Sequence, residues 1–293
     1  MKKRIILISL VCILSGPVFS LELTLRGGAG NMTFDPGLRG PLGPAGAAFD
    51  NYVYPYGRLS VDGSFSELLS YHAALDRDPI LRNRVTGEVE LKLHFLRFSF
   101  GPVISPFNTG ESLISPGFSG RLELQFPGII FGSLEASSNF GTALANTGDF
   151  LQQSGGAALG FWVPNVVCAF QINTRSFSER ISRALLIKDE LTRYQFRADV
   201  FSKNVPYTIR VDLGYQSLKR AYSGGNADTT DEFESIYLGF EGTYRIVPRI
   251  KIILGVEMPV YSWGASPLKG PSRSDVLFNA HAGLNWTIGD SAD

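Results

Sequence analysis

Val85-Thr-Gly-Glu-Val-Glu-Leu-Lys-Leu-His-Phe95 alternates without a break: Val85, Gly87, Val89, Leu91, Leu93 and Phe95 interleave with Thr86, Glu88, Glu90, Lys92 and His94. A period of two is the period of a β-strand, so this segment has one greasy face and one ionic face. The pattern recurs. Tyr194, Phe196, Ala198 and Val200 oppose Arg193, Gln195, Arg197 and Asp199, and Ile209, Val211 and Leu213 oppose Thr208, Arg210 and Asp212. Further on, Ile236, Leu238, Phe240, Tyr244 and Ile246 oppose Ser235, Tyr237, Glu241, Thr243 and Arg245.

Short and long connections alternate between such segments. Asp62-Gly63, Phe95-Leu96, Pro127-Gly128, Pro164-Asn165, Ser202 to Pro206 and Pro248-Arg249 read as short turns, five of the six holding a residue suited to turning. Longer polar or glycine-rich stretches fall at roughly 35–51, 76–83, 107–116, 141–154, 178–191, 221–232 and 262–274. Six turns and seven loops imply about fourteen strands, with twelve or sixteen one hairpin away. Tight turns on one side and long loops on the other predict an all-β, antiparallel, up-and-down transmembrane barrel with both chain ends on the turn side. A soluble β-sandwich alternates in the same way, but this strand number exceeds one compact sandwich. Aromatic residues also recur near strand ends, at Tyr52, Tyr54, Tyr56, Phe126, Trp162, Phe201, Tyr207, Tyr261 and Trp263, where rings suit membrane interfaces.

The amino-terminal residues 1–20 read as an export signal. Lys2, Lys3 and Arg4 precede an apolar run from Ile5 to Leu14, with Val18 and Ser20 at the small-residue cleavage positions. Ten apolar residues rise only about 15 Å as a helix, half of a bilayer core. The barrel is therefore expected over 21–293. Cys12 lies inside the apolar run, so lipidation is not expected, and Cys168 alone in the mature chain leaves no disulfide and no cysteine metal cluster. Removing Lys2, Lys3 and Arg4 from 27 basic residues leaves 24 against 27 acidic ones, which argues against nucleic acid as a partner. No later stretch reaches eighteen uninterrupted apolar residues, so any span must be made of strands closed into a barrel.

In the last predicted strand, Val276, Phe278, Ala280, Ala282, Leu284, Trp286 and Ile288 form one apolar face against Asn279, His281, Asn285 and Thr287. Within it, His281-x-Gly283-x-x-Trp286-x-Ile288 resembles the terminal signature of bacterial outer-membrane β-barrel proteins. The resemblance covers the mature chain in organisation and the final strand in motif. It implies outer-membrane lipid and the barrel assembly machinery as partners, with Gly283, Trp286 and Ile288 carrying the assembly signal.

If the apolar sets face lipid, the ions face inward. Lys92, Arg97, Arg121, Arg193, Arg197, Arg210, Arg245 and Lys251 are then balanced by Glu88, Glu90, Glu123, Glu135, Asp199, Asp212, Glu241 and Glu257, with His94 and His281 among them. So many charges are costly without water, so the expectation is a hydrated lumen. That predicts a monomeric, weakly selective pore for small hydrophilic solutes, with a salt-bridged plug or an adhesive barrel as the alternative. An enzyme is not expected: only His72, His94 and His281 offer histidine bases, and no Gly-x-Ser-x-Gly motif occurs. Hydrophobic-ligand transporters of this size carry an amino-terminal plug, whereas Leu21, Leu23 and Leu25 already alternate here with Glu22, Thr24 and Arg26. No cofactor or metal motif stands out. Gly37, Gly40, Gly43 and Gly46 recur at every third position and read as an exposed flexible loop, while Ser178 to Leu191 reads as a loop able to form a short helix. Glu67 falls on the apolar face with Phe65 and Leu69, which predicts a bulge or an interfacial position.

Overall fold

The computed structural model describes residues 20–33, 53–108, 112–139, 150–182, 185–201, 205–223, 229–263 and 277–289. Fourteen strands run in chain order. The first seven are β1 (Ser20–Gly30), β2 (Tyr54–Ser64), β3 (Leu69–Asp78), β4 (Arg82–Leu93), β5 (Leu96–Asn108), β6 (Ser112–Phe126) and β7 (Ile130–Asn139). They are followed by β8 (Phe150–Val163), β9 (Val166–Ser182), β10 (Leu185–Phe201), β11 (Tyr207–Ser223), β12 (Thr229–Val247), β13 (Ile250–Trp263) and β14 (Asn279–Gly289). Each strand pairs with its chain neighbours, and β1 pairs antiparallel with β14, from Ser20 opposite Gly289 to Gly30 opposite Asn279. The sheet is a closed meander, so no strand is left as an edge strand.

Outward positions are apolar and open: Leu25, Leu59, Leu75, Val85, Phe100, Leu122, Leu134, Leu159, Phe170, Leu213, Phe240, Leu254 and Leu284 all expose much of their side chains. In water that surface would be unfavourable, whereas in lipid it is the natural exterior of a barrel. A row of rings marks its upper limit on the loop side. Tyr194 lies 6.2 Å from Tyr215, Tyr215 6.0 Å from Trp263, and Tyr261 5.5 Å from Trp263, while Glu234 accepts hydrogen bonds from the Tyr215 hydroxyl and the Trp263 indole.

The wall is uneven. β9 to β11 each have 17 residues and β12 has 19, against 10 to 12 in β1 to β4. A tilted strand crosses a bilayer in about 9–11 residues, so the tall strands project past the membrane on the loop side. Above the ring row their outward residues turn polar: Glu190, Lys219 and Glu232 are neighbours in register, and Lys219 lies 2.6 Å from Glu232.

Several connections differ from the sequence reading. Asp62 and Gly63 belong to β2, and the turn spans residues 65–68, where Phe65 and Ser66 amides donate to the Leu69 carbonyl at 2.9 and 3.1 Å. Glu67 is exposed on that turn, which removes the conflict it posed inside a strand. The next turn is His94-Phe95, not Phe95-Leu96, and His94 takes a left-handed backbone with φ 43°. The stretches 76–83, 107–116, 178–191 and 221–232 are mostly strand rather than loop, because the ladder continues above the membrane wherever a neighbouring strand offers hydrogen bonds. No helix forms at 178–191 among the described residues, since β9 runs to Ser182 and β10 begins at Leu185. Residues 1–19 and the glycine triplets of 37–46 lie outside the described residues.

Large inward rings face glycines across the ladder. Tyr56 opposes Gly28, Tyr237 opposes Gly214, and His281 opposes Gly255, and a Cβ added to any of these glycines would run into the ring or its neighbours. The glycine supplies room for a wide side chain to lie flat on the wall, which pins register.

Candidate functional site

The lumen contains a cavity of 1350 Å³ that reaches from Pro248 and Thr287 at the turn side to Ile80 and Leu81 at the loop side. Strand parity alone sends its lining inward. Of the residues singled out in the sequence, Glu88, Glu90, Lys92, Arg121, Glu135, Arg193, Arg197, Arg210, Asp212, Glu241, Arg245 and His281 line it. Arg97, Glu123 and Asp199 have the same inward parity but lie off the cavity wall, Arg97 opposite Glu123 and Asp199 bound to Arg210. His94 is the exception: it sits exposed in the β4–β5 turn with its ring edge-on to Phe95, because the strand ends one residue earlier than the alternation suggests.

Ion pairs cross this space. Glu241 gathers three donors, accepting from Arg26 at 3.0 Å, Arg210 at 3.1 Å and His281 at 2.9 Å. Arg210 also holds Asp199 at 2.6 Å, and Arg197 holds Asp212 at 2.9 Å. Arg193 reaches Glu257 at 2.9 Å while lying over the Tyr237 ring. On the opposite wall Arg58 donates to His72 Nε2 at 2.9 Å. An arginine can only donate, so His72 carries its proton on Nδ1 and gives it to Asp62 at 2.6 Å. Both lumen imidazoles are thus tied to charged side chains through Nε2.

The loop-side end has a different chemistry. Met32, Ile80, Phe150, Phe177, Leu191, Leu218, Phe233, Tyr237 and Leu277 form one buried apolar cluster. Phe150, Phe177, Leu191, Leu218, Phe233 and Tyr237 come from the adjacent strands β8 to β12, while Met32, Ile80 and Leu277 flank β1, β3 and β14, so the cluster bridges opposite walls.

Its keystone is the β3–β4 turn. Asp78 accepts the Ile80 and Leu81 amides at 2.7 and 2.8 Å and the Arg175 guanidinium at 2.6 Å, and Ile80 and Leu81 are 1% and 2% exposed. The Gln152 amide donates to the Leu81 carbonyl and accepts from the Ser105 hydroxyl. Arg82, with φ 63°, completes the turn and crosses the barrel to Asp189 at 3.2 Å.

Asp189 simultaneously takes a two-pronged contact from the buried Arg220, at 2.6 and 2.8 Å. Burial alone would push the Arg220 cation towards losing its proton, but the hydrogen bonds and charge of Asp189 outweigh this and raise its pKa above the usual value. None of the cluster was singled out in the sequence as functional. The signal was there in the even-numbered Leu218 and Tyr222, which follow the odd-numbered Ile209, Val211 and Leu213 in the same strand.

Four aromatic assignments also move inward, Tyr54 and Phe201 by parity and Tyr56 and Trp162 with partners as well, while Tyr52 lies outside the described residues. Tyr56 donates to the Ala280 carbonyl at 3.1 Å within the lumen, and Trp162 packs on Phe131 at 4.8 Å with inward parity. Phe126, Tyr207, Tyr261 and Trp263 do face outward with exposed rings.

No family model matches the chain, and no curated protein matches it. Solved structures resemble it in fold. A loop-deletion form of OmpT, an outer membrane protein of Vibrio cholerae, aligns over 94% of this chain and 100% of its own, at 9% identity and TM-score 0.41. A bacterial polysaccharide outer membrane secretin aligns over 92% and 98%, at 12% identity and TM-score 0.42. An anion-selective porin from Comamonas acidovorans aligns over 93% and 99%, at 12% identity and TM-score 0.38. With an unbroken ring of fourteen antiparallel strands and an apolar exterior, the chain has the fold of a bacterial outer-membrane β-barrel.

Proposed function

We propose that this protein is exported through a cleaved signal, is inserted by the barrel assembly machinery, and acts as a monomeric outer-membrane pore of weak selectivity for small hydrophilic solutes. The observation that carries this reading is the ion-lined cavity of 1350 Å³ that begins at the turn-side rim. Charges of both signs line it at every level below the apolar cluster, and hydrating them costs far less than burying them dry. On this reading the barrel transports and does not catalyse. Passage is limited where the β3–β4 turn meets the tall wall, and the conformation described is the closed one.

A second reading, a plugged structural or adhesive barrel, draws on the same apolar cluster as a permanent seal. Planar-bilayer conductance with the refolded chain separates the two. A pore gives steps in the wild type that grow when Ile80 and Leu81 are both replaced by glycine. A permanent plug gives none in either protein, provided that both show the strand-rich circular dichroism of a folded barrel.

A further inference from the structure

Two cation pairs face each other directly across the ladder at the turn-side end of the lumen, where the acidic Glu22 and Asp62 also stand opposite each other. Lys92 opposes Arg97 between β4 and β5, and Arg245 opposes Lys251 between β12 and β13. Such pairs repel, and a sheet carries them at a cost unless something neutralises them. The first pair has carboxylates close by: Lys92 lies 3.6 Å from Glu90, and Arg97 stands opposite Glu123, which Arg121 holds at 3.0 Å.

The second pair differs. On one side Arg245 borders Pro206, whose carbonyl accepts its backbone amide at 2.7 Å, and on the other side Lys251 stands opposite Asn285. Among the described residues no carboxylate lies within 4.0 Å of either cation. Acidic groups on β12 and two strands away have other partners. Glu241, two steps of the alternation higher on β12, is held by Arg26, Arg210 and His281, and Asp199 is held by Arg210. Glu22 on β1 accepts from the Asn285 side-chain amide. Both cations line the cavity, with Thr287 beside them.

We infer that Arg245 and Lys251 form an anion-binding site just inside the turn-side mouth, suited to a small soluble dianion such as a phosphate or a phosphomonoester. A guanidinium offers a planar fork to two oxygens and an ammonium a point charge to a third, which together satisfy a tetrahedral dianion. The site faces the lumen, so free solutes reach it rather than lipid headgroups. The inference rests on solutes entering the lumen from the turn side, as the pore reading requires, but not on their passing through.

The test is equilibrium binding. The full chain, folded in an uncharged maltoside detergent that supplies no lipid phosphate, is titrated with inorganic phosphate at low ionic strength and followed by phosphorus-31 line broadening. Wild type is expected to show saturable broadening. Replacing Arg245 and Lys251 together by glutamine should weaken it by at least about ten-fold, the loss of a charge-assisted contact. K92Q/R97Q, which removes the pair flanked by Glu90 and Glu123, should leave it unchanged, and an unaltered strand-rich spectrum certifies folding in each case. No saturation in the wild type, or equal binding in R245Q/K251Q, overturns the site. Saturable binding in a protein that shows no conductance steps keeps the site and overturns the pore.

Discussion

The lower and upper halves of β9 to β12 obey one alternation with opposite chemistry. Below the ring row of Tyr194, Tyr215, Tyr261 and Trp263, β11 sends Ile209, Val211 and Leu213 outward and Arg210 and Asp212 inward. Above it, the same strand sends Lys219 outward and Leu218 and Tyr222 inward, both buried. The reversal has a single cause. Inside the bilayer the exterior solvent is hydrocarbon and the lumen can hold water, whereas beyond the bilayer the exterior solvent is water and only the interior is dry. The projecting part of the wall is thus organised like a soluble sheet with a core, and that core closes the barrel's loop-side end.

Mutations can break this contrast. The largest effect is expected from Asp189→Asn, which leaves the buried Arg220 and the cross-barrel Arg82 without their shared anion. It should destabilise the barrel by about 3–5 kcal/mol in denaturant unfolding from liposomes, and a neutral result would mean that the loop-side end is wet. Leu218→Ala, in the fully buried cluster, should cost about 2–5 kcal/mol through the cavity it leaves. Leu213→Arg, on the exposed face below the ring row, should cost about 2–4 kcal/mol in a bilayer, and a much smaller cost would place that face outside lipid. At the small end, Lys219→Ala removes an exposed pair with Glu232 and should change stability by less than about 0.5 kcal/mol. A larger loss there would show that the upper exterior is not in water.

The sequence was most legible where one solvent acts on one face for a whole strand. The inward direction of the ionic set follows from unbroken alternation, as in β4, where Val85, Val89, Leu91 and Leu93 are exposed, and the fourteen strands follow from the count of connections, three of the six short turns standing as read while residues 202–204 lie outside the described ones. It was least legible where the solvent changes along a strand. In β10 the outward apolar set is even-numbered at Tyr194, Phe196 and Val200, then the buried apolar residues become odd-numbered at Leu191 and Ile187. A reader who expects one phase takes that flip for a loop, which is why 178–191 and 221–232 read as connections.

Turn chemistry misled in two places. Asp62-Gly63 looks like a hairpin tip, but Gly63 is needed inside the strand to make room for the Tyr71 ring, and His94 ends its strand in a conformation that the alternation does not reveal. The β3–β4 turn was hidden for a different reason. Ile80 and Leu81 are apolar because they dock across the lumen, a contact with residues more than seventy positions away.

The loop-side half of the seam between β1 and β14 is poor in side chains: Gly27 faces Ala282, Ala29 faces Ala280 and Gly28 faces His281. Its cohesion therefore lies mainly in backbone hydrogen bonds, which carry little information about register until many form together. These bonds join the two ends of almost the whole chain, so they return nothing until every intervening strand is in place. Before that moment the sheet carries two unsatisfied edges, and after it carries none. The seam makes assembly a single late commitment, and a partly built barrel is an open ribbon with adhesive margins rather than a smaller version of the finished one.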